Sequence, residues 1–179
     1  MTRVTEVLSI FKEEIPGYLQ SRFDQAGEFG RKAHECFRLI NQGKKFELEN
    51  ADPILESFVN DYDIWFKDNV TEVFAVDTIE ARIEDIELDF GGLPDAIVKL
   101  KKGKRKVILD YKTGQKSRLW FLQLGGYGVL TGNVCEGRIL HFRKDIGRLN
   151  EVIEISYVEM VRYGQLFLKA LDLYNYLKE

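Results

Sequence analysis

Asp95, Asp110 and Lys112 each sit where an apolar residue would cost less. Asp95 opens the run Asp95-Ala96-Ile97-Val98, and Asp110 follows Val107-Ile108-Leu109. The stretch Lys99 to Lys106 joins the two runs, with Lys102-Gly103 at its midpoint. Glycine supplies the positive φ that a two-residue hairpin turn needs. With the turn there, residue i faces residue 205 − i, so Asp95 lies opposite Asp110. Directly opposed residues have Cβ atoms roughly 4.5–5.5 Å apart. Two carboxylates that close repel unless a proton or a cation lies between them. Strand alternation sends Lys112 to the same face as Asp110. Two acids and a lysine at one spot are the donor set that a hard divalent cation prefers, with water and a substrate phosphate completing its shell. The competing reading is a solvated hairpin face with a surface ion pair of little energetic value. The apolar flanks of both aspartates favour a site.

The elements that would carry these residues follow from periodicity. Residues 4–15 read as a short amphipathic helix stopped by Ile15-Pro16-Gly17, and residues 21–42 as a longer one with Phe23, Ala26, Ala33, Phe37 and Ile40 on its apolar face. His34 lies near that face, and a lone helical histidine is more often packed than ligating. Asp52-Pro53 marks a clean helix start, with aspartate as N-cap and proline at the first position. From Val73 to Phe90 the pattern is strand-like and rich in acids. A helix over 119–130 contains three glycines, which imply close packing, expected against the sheet. Two strands, Arg138 to Phe142 and Val152 to Tyr157, and a closing helix over 158–178 complete the chain. This order predicts one α/β domain: a mixed central sheet flanked by helices.

Composition narrows the class. The chain has 179 residues, 45 % hydrophobic and 31 % charged, with a net charge of −3. That is a soluble globular profile, and no apolar run approaches the roughly 20 residues of a membrane helix. With no signal-peptide pattern at the N-terminus, the expected location is cytoplasmic. Cys36 and Cys135 cannot make a CxxC site or a four-cysteine iron–sulfur cluster. Lys101, Lys102, Lys104, Arg105 and Lys106 form a basic turn without an acid, either a solubilising tip or a phosphate-contacting finger.

Four spaced motifs, Gly30-x-x-x-His34, Gly92-x-x-Asp95, Asp110-Tyr111-Lys112-Thr113-Gly114 and Gln123-x-x-x-Tyr127, resemble the RecB-type branch of the PD-(D/E)XK nuclease superfamily. The likeness spans roughly residues 27–142 and implies a restriction-endonuclease-like core. Within a single domain, residues 1–70 would be a helical N-terminal part, 71–157 the catalytic sheet core and 158–178 a closing helix. The resemblance further implies a DNA exonuclease dependent on Mg²⁺ or Mn²⁺. Asp95, Asp110, His34 and the Tyr111 backbone carbonyl would be ligands, with Glu80 as a further candidate. Lys112 would activate or orient the attacking water, and Gln123 and Tyr127 would position the scissile strand or buttress the site. It also implies DNA as partner, a bacterial or phage-infected host cell, a place in phage or recombination and repair DNA processing, and a recombination or replication protein as a possible associate. The alternatives are a structure-specific endonuclease and a catalytically inactive nucleic-acid-binding protein of the same fold.

Overall fold

The computed structural model describes residues 1–12, 20–48, 51–76 and 82–179. A five-stranded mixed sheet forms its centre. The strands are β2 (Val70–Val76), β5 (Ala96–Leu100), β6 (Lys106–Lys112), β7 (Glu136–Arg143) and β8 (Arg148–Ile155), in spatial order β2-β5-β6-β7-β8. β6 and β7 run parallel, joined through helix α4 (Leu119–Leu130), and the remaining neighbours are antiparallel. A parallel pair needs such a crossover because a tight turn cannot return the chain to the same end. A smaller sheet pairs β1 (Thr2–Arg3), β4 (Phe90–Gly92) and β3 (Ile83–Asp85) in the order β1-β4-β3.

Both faces of the large sheet are covered. Val98, Val107, Leu109, Tyr111, Leu140 and Phe142 face helices α2 (Gln20–Asn41) and α3 (Pro53–Asn69). Ile97, Ile108, Ile139 and Ile155 face α4 and α5 (Tyr157–Tyr176). The period of two along β6 thus divides its residues between two cores. Asp110 and Lys112 fall on the α4 face, with Ile108. An aromatic cluster fixes α2 and α3 to the sheet. Phe37 lies 4.5 Å from Tyr62 and 4.8 Å from Phe142 between ring centroids, and Phe58 lies 5.1 Å from Phe142.

The hairpin register follows the 205 − i rule: Ala96 pairs with Leu109, Ile97 with Ile108, Val98 with Val107 and Lys99 with Lys106. The turn is longer than the two residues expected. Residues 101–105 leave the ladder, with Gly103 at φ +118°, because Lys101 turns aside to α3. Its N–H donates to the Asn69 carbonyl at 2.7 Å and its Nζ to the Lys67 carbonyl at 2.7 Å.

Several other expectations change. The first helix is only α1 (Val4–Val7), followed by a 3₁₀ turn over Leu8–Phe11, and Lys12 is already extended. The stop expected at residues 15–17 lies outside the described residues. On α2, Ala26 is exposed and Phe29 is the first buried apolar residue among those whose side chains are described; the Phe23 side chain lies outside them. The described residues of the strand-like acidic stretch 73–90 divide among β2, β3 and β4. Tyr157 starts α5, where Ser156 and Glu159 form a reciprocal capping box that closes the helix against extension into the strand. The α4 glycines pack against α5, not the sheet. A Cβ on Gly125 would run into the Tyr163 backbone, and one on Gly126 would lie 3.0 Å from the Phe167 ring. The Asp52-Pro53 start holds: Ile54 N–H donates to Asp52 Oδ1 at 2.8 Å. Among the described residues, no helix is long and apolar enough to cross a membrane.

Candidate functional site

The site forms where the carboxyl ends of β6 and β7 meet the start of β5, one side chain at a time. Asp95 precedes the first residue of β5. Its Oδ2 accepts from the Tyr111 N–H at 2.6 Å, so the register that opposes it to Asp110 also ties it to the β6 backbone. Successive strand residues alternate their N–H and C=O laterally. The Tyr111 carbonyl therefore faces the same side as its N–H, toward Asp95. Asp95 Oδ1 meets His34 Nδ1 at 3.1 Å.

His34 reaches this point because α2 approaches the β6 end closely. A Cβ on Gly30, one turn earlier, would lie 3.0 Å from Thr113 Oγ1. The His34 ring stands edge-on to Tyr111, centroids 5.6 Å apart. Gly92 has a similar steric role, since a Cβ there would lie 2.6 Å from Tyr127 Cε1. The Gly30-x-x-x-His34 and Gly92-x-x-Asp95 spacings thus pair a close approach with a polar group.

Asp110 is 1 % exposed. Lys112 Nζ lies 2.7 Å from its Oδ2, and no other described group meets this buried oxygen. Lys112 Nζ also donates to Gln123 Oε1 at 2.9 Å, and Gln123 Nε2 donates to the Tyr127 hydroxyl at 3.1 Å. Four residues of helical spacing put Gln123 and Tyr127 on one face of α4. In this geometry the Gln123–Tyr127 pair braces the Lys112 side chain.

The electrostatics separate the two acids. Burial pushes the Asp110 carboxyl up to about 6, and the neighbouring Asp95 charge adds to it against the opposing pull of Lys112. Burial also opposes ionisation of Asp95, but the His34 charge and hydrogen bond outweigh it and hold its pKa below the ordinary value. The His34 imidazole answers in kind: burial disfavours its charge, Asp95 more than restores it, and its pKa is raised. Both acids are thus buried and ion-paired, but His34 outweighs the burial of Asp95 while Lys112 does not outweigh that of Asp110. Carboxyls perturbed in this way cluster at functional sites and also occur in structural ion-pair networks.

Beneath the site, Tyr111, Tyr62 and Asn41 form a closed buried network. The Tyr62 hydroxyl lies 2.6 Å from that of Tyr111 and donates to Asn41 Oδ1 at 2.5 Å, while Asn41 Nδ2 donates to the Tyr111 hydroxyl at 2.9 Å. Burial holds both tyrosines well above their ordinary range. Every polar atom of the network is occupied within it, so it locks the strand that carries Asp110 and Lys112.

The basic turn lies elsewhere. Asp110 and Lys106 are four residues apart on β6, and Asp95 and Lys101 six apart, which at about 3.3 Å per residue separates turn from site by roughly 13–20 Å. Arg105 stacks 4.1 Å over Tyr157 and Lys106 4.2 Å over Phe74. Glu80 lies outside the described residues.

His141 belongs to none of the sequence motifs. It is 3 % exposed on β7, the Cα partner of Lys112. Its Nδ1 meets Glu151 Oε1 at 3.0 Å and its Nε2 meets the Gly114 carbonyl at 2.9 Å. The only local signal was a histidine inside the apolar run Ile139-Leu140-His141-Phe142. No protein-family model matches the chain, and no curated protein matches it.

Proposed function

We propose that this protein is a metal-dependent phosphodiester hydrolase acting on DNA, with the site at Asp95, Asp110 and Lys112. The observation that carries the reading is the buried Asp110 carboxyl, whose Oδ2 has Lys112 as its one close partner among the described residues and which lies across from the His34–Asp95 pair. A group in that setting gains most when a cation replaces its proton. Among the described residues no three His, Cys, Asp or Glu side chains already form a metal cage. The donors nevertheless suit a hard cation: two carboxylates, the backbone carbonyl of Tyr111 and the free Nε2 edge of His34. Asp95 and Asp110 would hold Mg²⁺ or Mn²⁺, with His34 and the Tyr111 carbonyl beside them. Bound there, the ion would polarise a phosphoryl oxygen and acidify water.

The residues of the chain have separable tasks in this reading. With the ion bound, a neutral His34 ring fixes Asp95 through Nδ1–H and turns Nε2 to the ion, and the Tyr111 N–H holds the second Asp95 oxygen in register. Lys112, held by Gln123 and in turn by Tyr127, keeps an ammonium where it orients the attacking water and offsets charge gathering on the phosphoryl group. A lysine suits that task because it acts as a point charge on a flexible stem. The carboxyl ends of parallel strands, where β6 and β7 finish, are the common ligand crevice of open α/β sheets. Exonucleolytic action on single strands or ends is the form proposed.

A time course with end-labelled linear and circular DNA, single- and double-stranded, with Mg²⁺ or Mn²⁺, tests this beside Asp110→Ala. The expected result is degradation of linear DNA only, abolished in the variant. Cutting of circles would make the enzyme an endonuclease. No cleavage by the wild-type protein on any substrate would reject hydrolysis.

A further inference from the structure

A second cleft opens immediately past the catalytic strand. Its wall starts at Thr113 and Gly114, directly after Lys112, and its volume is about 650 Å³. Lys116 reaches it from the β6–α4 connection, and Arg143 and Lys144 from the turn between β7 and β8. Against these three cations the lining carries one carboxylate, Asp145, which Arg143 already engages. The surplus is local, since the whole chain has a net charge of −3.

The back of the cleft is closed by a fixed side chain. His141 sits between the Glu151 carboxylate at Nδ1 and the Gly114 carbonyl at Nε2. Glu151 also takes Lys116 at 2.8 Å. The clamp on Gly114 makes this wall rigid. Trp120 of α4 packs edge-on to the ring, centroids 5.0 Å apart.

Lys144 is the unanswered group. Its Nζ sits 3.7 Å above the Phe29 ring, and among the described residues no carboxylate lies within ion-pair distance. Burial lowers its pKa, only partly offset by the more distant Asp52 charge. A phosphate oxygen would supply the missing counter-charge. Asn150 and Thr113 add neutral hydrogen-bonding groups along the same wall.

We propose that this cleft is a phosphate subsite, which seats a phosphodiester of the nucleic-acid strand beyond the bond at the Asp110 site, with Lys144 and Lys116 as its contacts. The inference rests on the hydrolase reading above for the identity of the strand. It also assigns strand binding to the β7–β8 turn, not to the more basic turn over residues 101–106.

The test uses the full chain with Lys116→Gln, Lys144→Gln, the two combined, and Lys102→Gln/Lys104→Gln as a charge-matched control. Binding of a fluorescein-labelled oligothymidylate is followed by anisotropy across a salt series, in EDTA. Hydrolysis with Mn²⁺ is measured on the oligonucleotide and on thymidine 5′-(p-nitrophenyl phosphate), which has no neighbouring phosphate. The combined variant should bind about tenfold more weakly, with a salt slope shallower by about 1.4, the value for two lost contacts to a single strand. The control should keep wild-type affinity, and the small diester should be cleaved at the wild-type rate by all variants. Wild-type affinity and slope in the combined variant, alongside cleavage, would overturn the subsite and leave the hydrolase standing. An equal loss on the small diester would also overturn it, since the lysines would then support the chemistry. Loss of binding without cleavage of either substrate by any protein would keep the subsite and reject the hydrolase. No binding by the wild-type protein would overturn the subsite.

Discussion

Asp110→Asn is expected to stabilise the metal-free protein while removing its activity. The carboxyl is buried, and its pKa rises from 3.8 to about 6 in the fold. At about 1.4 kcal/mol per tenfold, this rise amounts to roughly 3 kcal/mol of stability lost on ionising Asp110. The sign follows from proton binding. Between pH 4 and 6 the folded state holds a proton that the unfolded chain has released, so stability falls as pH rises through that window and stays low above it. Asparagine has nearly the shape of the neutral acid and never ionises. In EDTA at pH 8, urea unfolding should therefore place the variant about 3 kcal/mol above wild type, or roughly 6–12 °C higher in Tm for a chain of this size. At pH 4 the two should converge. Mg²⁺ should raise the wild-type Tm and leave the variant unchanged, because a ligand stabilises only the state it binds. A variant less stable than wild type at pH 8, or an advantage that persists at pH 4, would refute the argument that the fold holds Asp110 against its solvation preference.

Two further outcomes follow from the site's construction. Gly92→Ala brings a Cβ to within 2.6 Å of Tyr127, whose ring is packed and cannot swing away. Chemical denaturation should register a loss of about 1–3 kcal/mol, typical of overpacking, and cleavage should fall as Tyr127 leaves Gln123. Full activity with unchanged stability would remove the steric account of this glycine. The His34–Asp95 pair should stabilise only in mildly acidic solution. Asp95 has a depressed pKa, so its contribution is present above about pH 3.8 and lost as pH falls through its folded value; His34 has a raised one, so its contribution is complete below about pH 6.5 and lost as pH rises through its folded value. The stability difference between wild type and His34→Gln should therefore be largest between those limits. A difference that stays flat from pH 4 to 9 would argue against an ion pair.

Much of the site was legible in the residues because it depends on local chemistry. The midpoint glycine and strand alternation sufficed to place Asp95 opposite Asp110, and the ladder carries that register. Asp52-Pro53 declared the start of α3 through capping alone. Ile139-Leu140-His141-Phe142 reads as one more apolar strand, and nothing nearby in sequence announces that Glu151 and Gly114 close on its histidine. Those contacts come from β8 and from the β6–α4 connection, which only the sheet order brings together. The glycines of α4 signalled close packing but not its partner, because a small residue specifies distance and not direction. Tertiary packing chose α5.

The sequence by itself determined which residues could do chemistry, the register of the hairpin that bears two of them, and the helix-and-strand order of a mixed α/β fold. These depend on turn conformation, side-chain alternation and capping, all of which act over a few residues. Only the tertiary structure decided that Lys112 is held by Gln123 rather than by Asp110 alone, that the basic turn stands at the far end of the hairpin, and that a second cationic cleft adjoins the site. Each of these depends on which surfaces meet when helices bury their apolar faces on the sheet, and the long-range contacts of that step leave little trace in neighbouring residues.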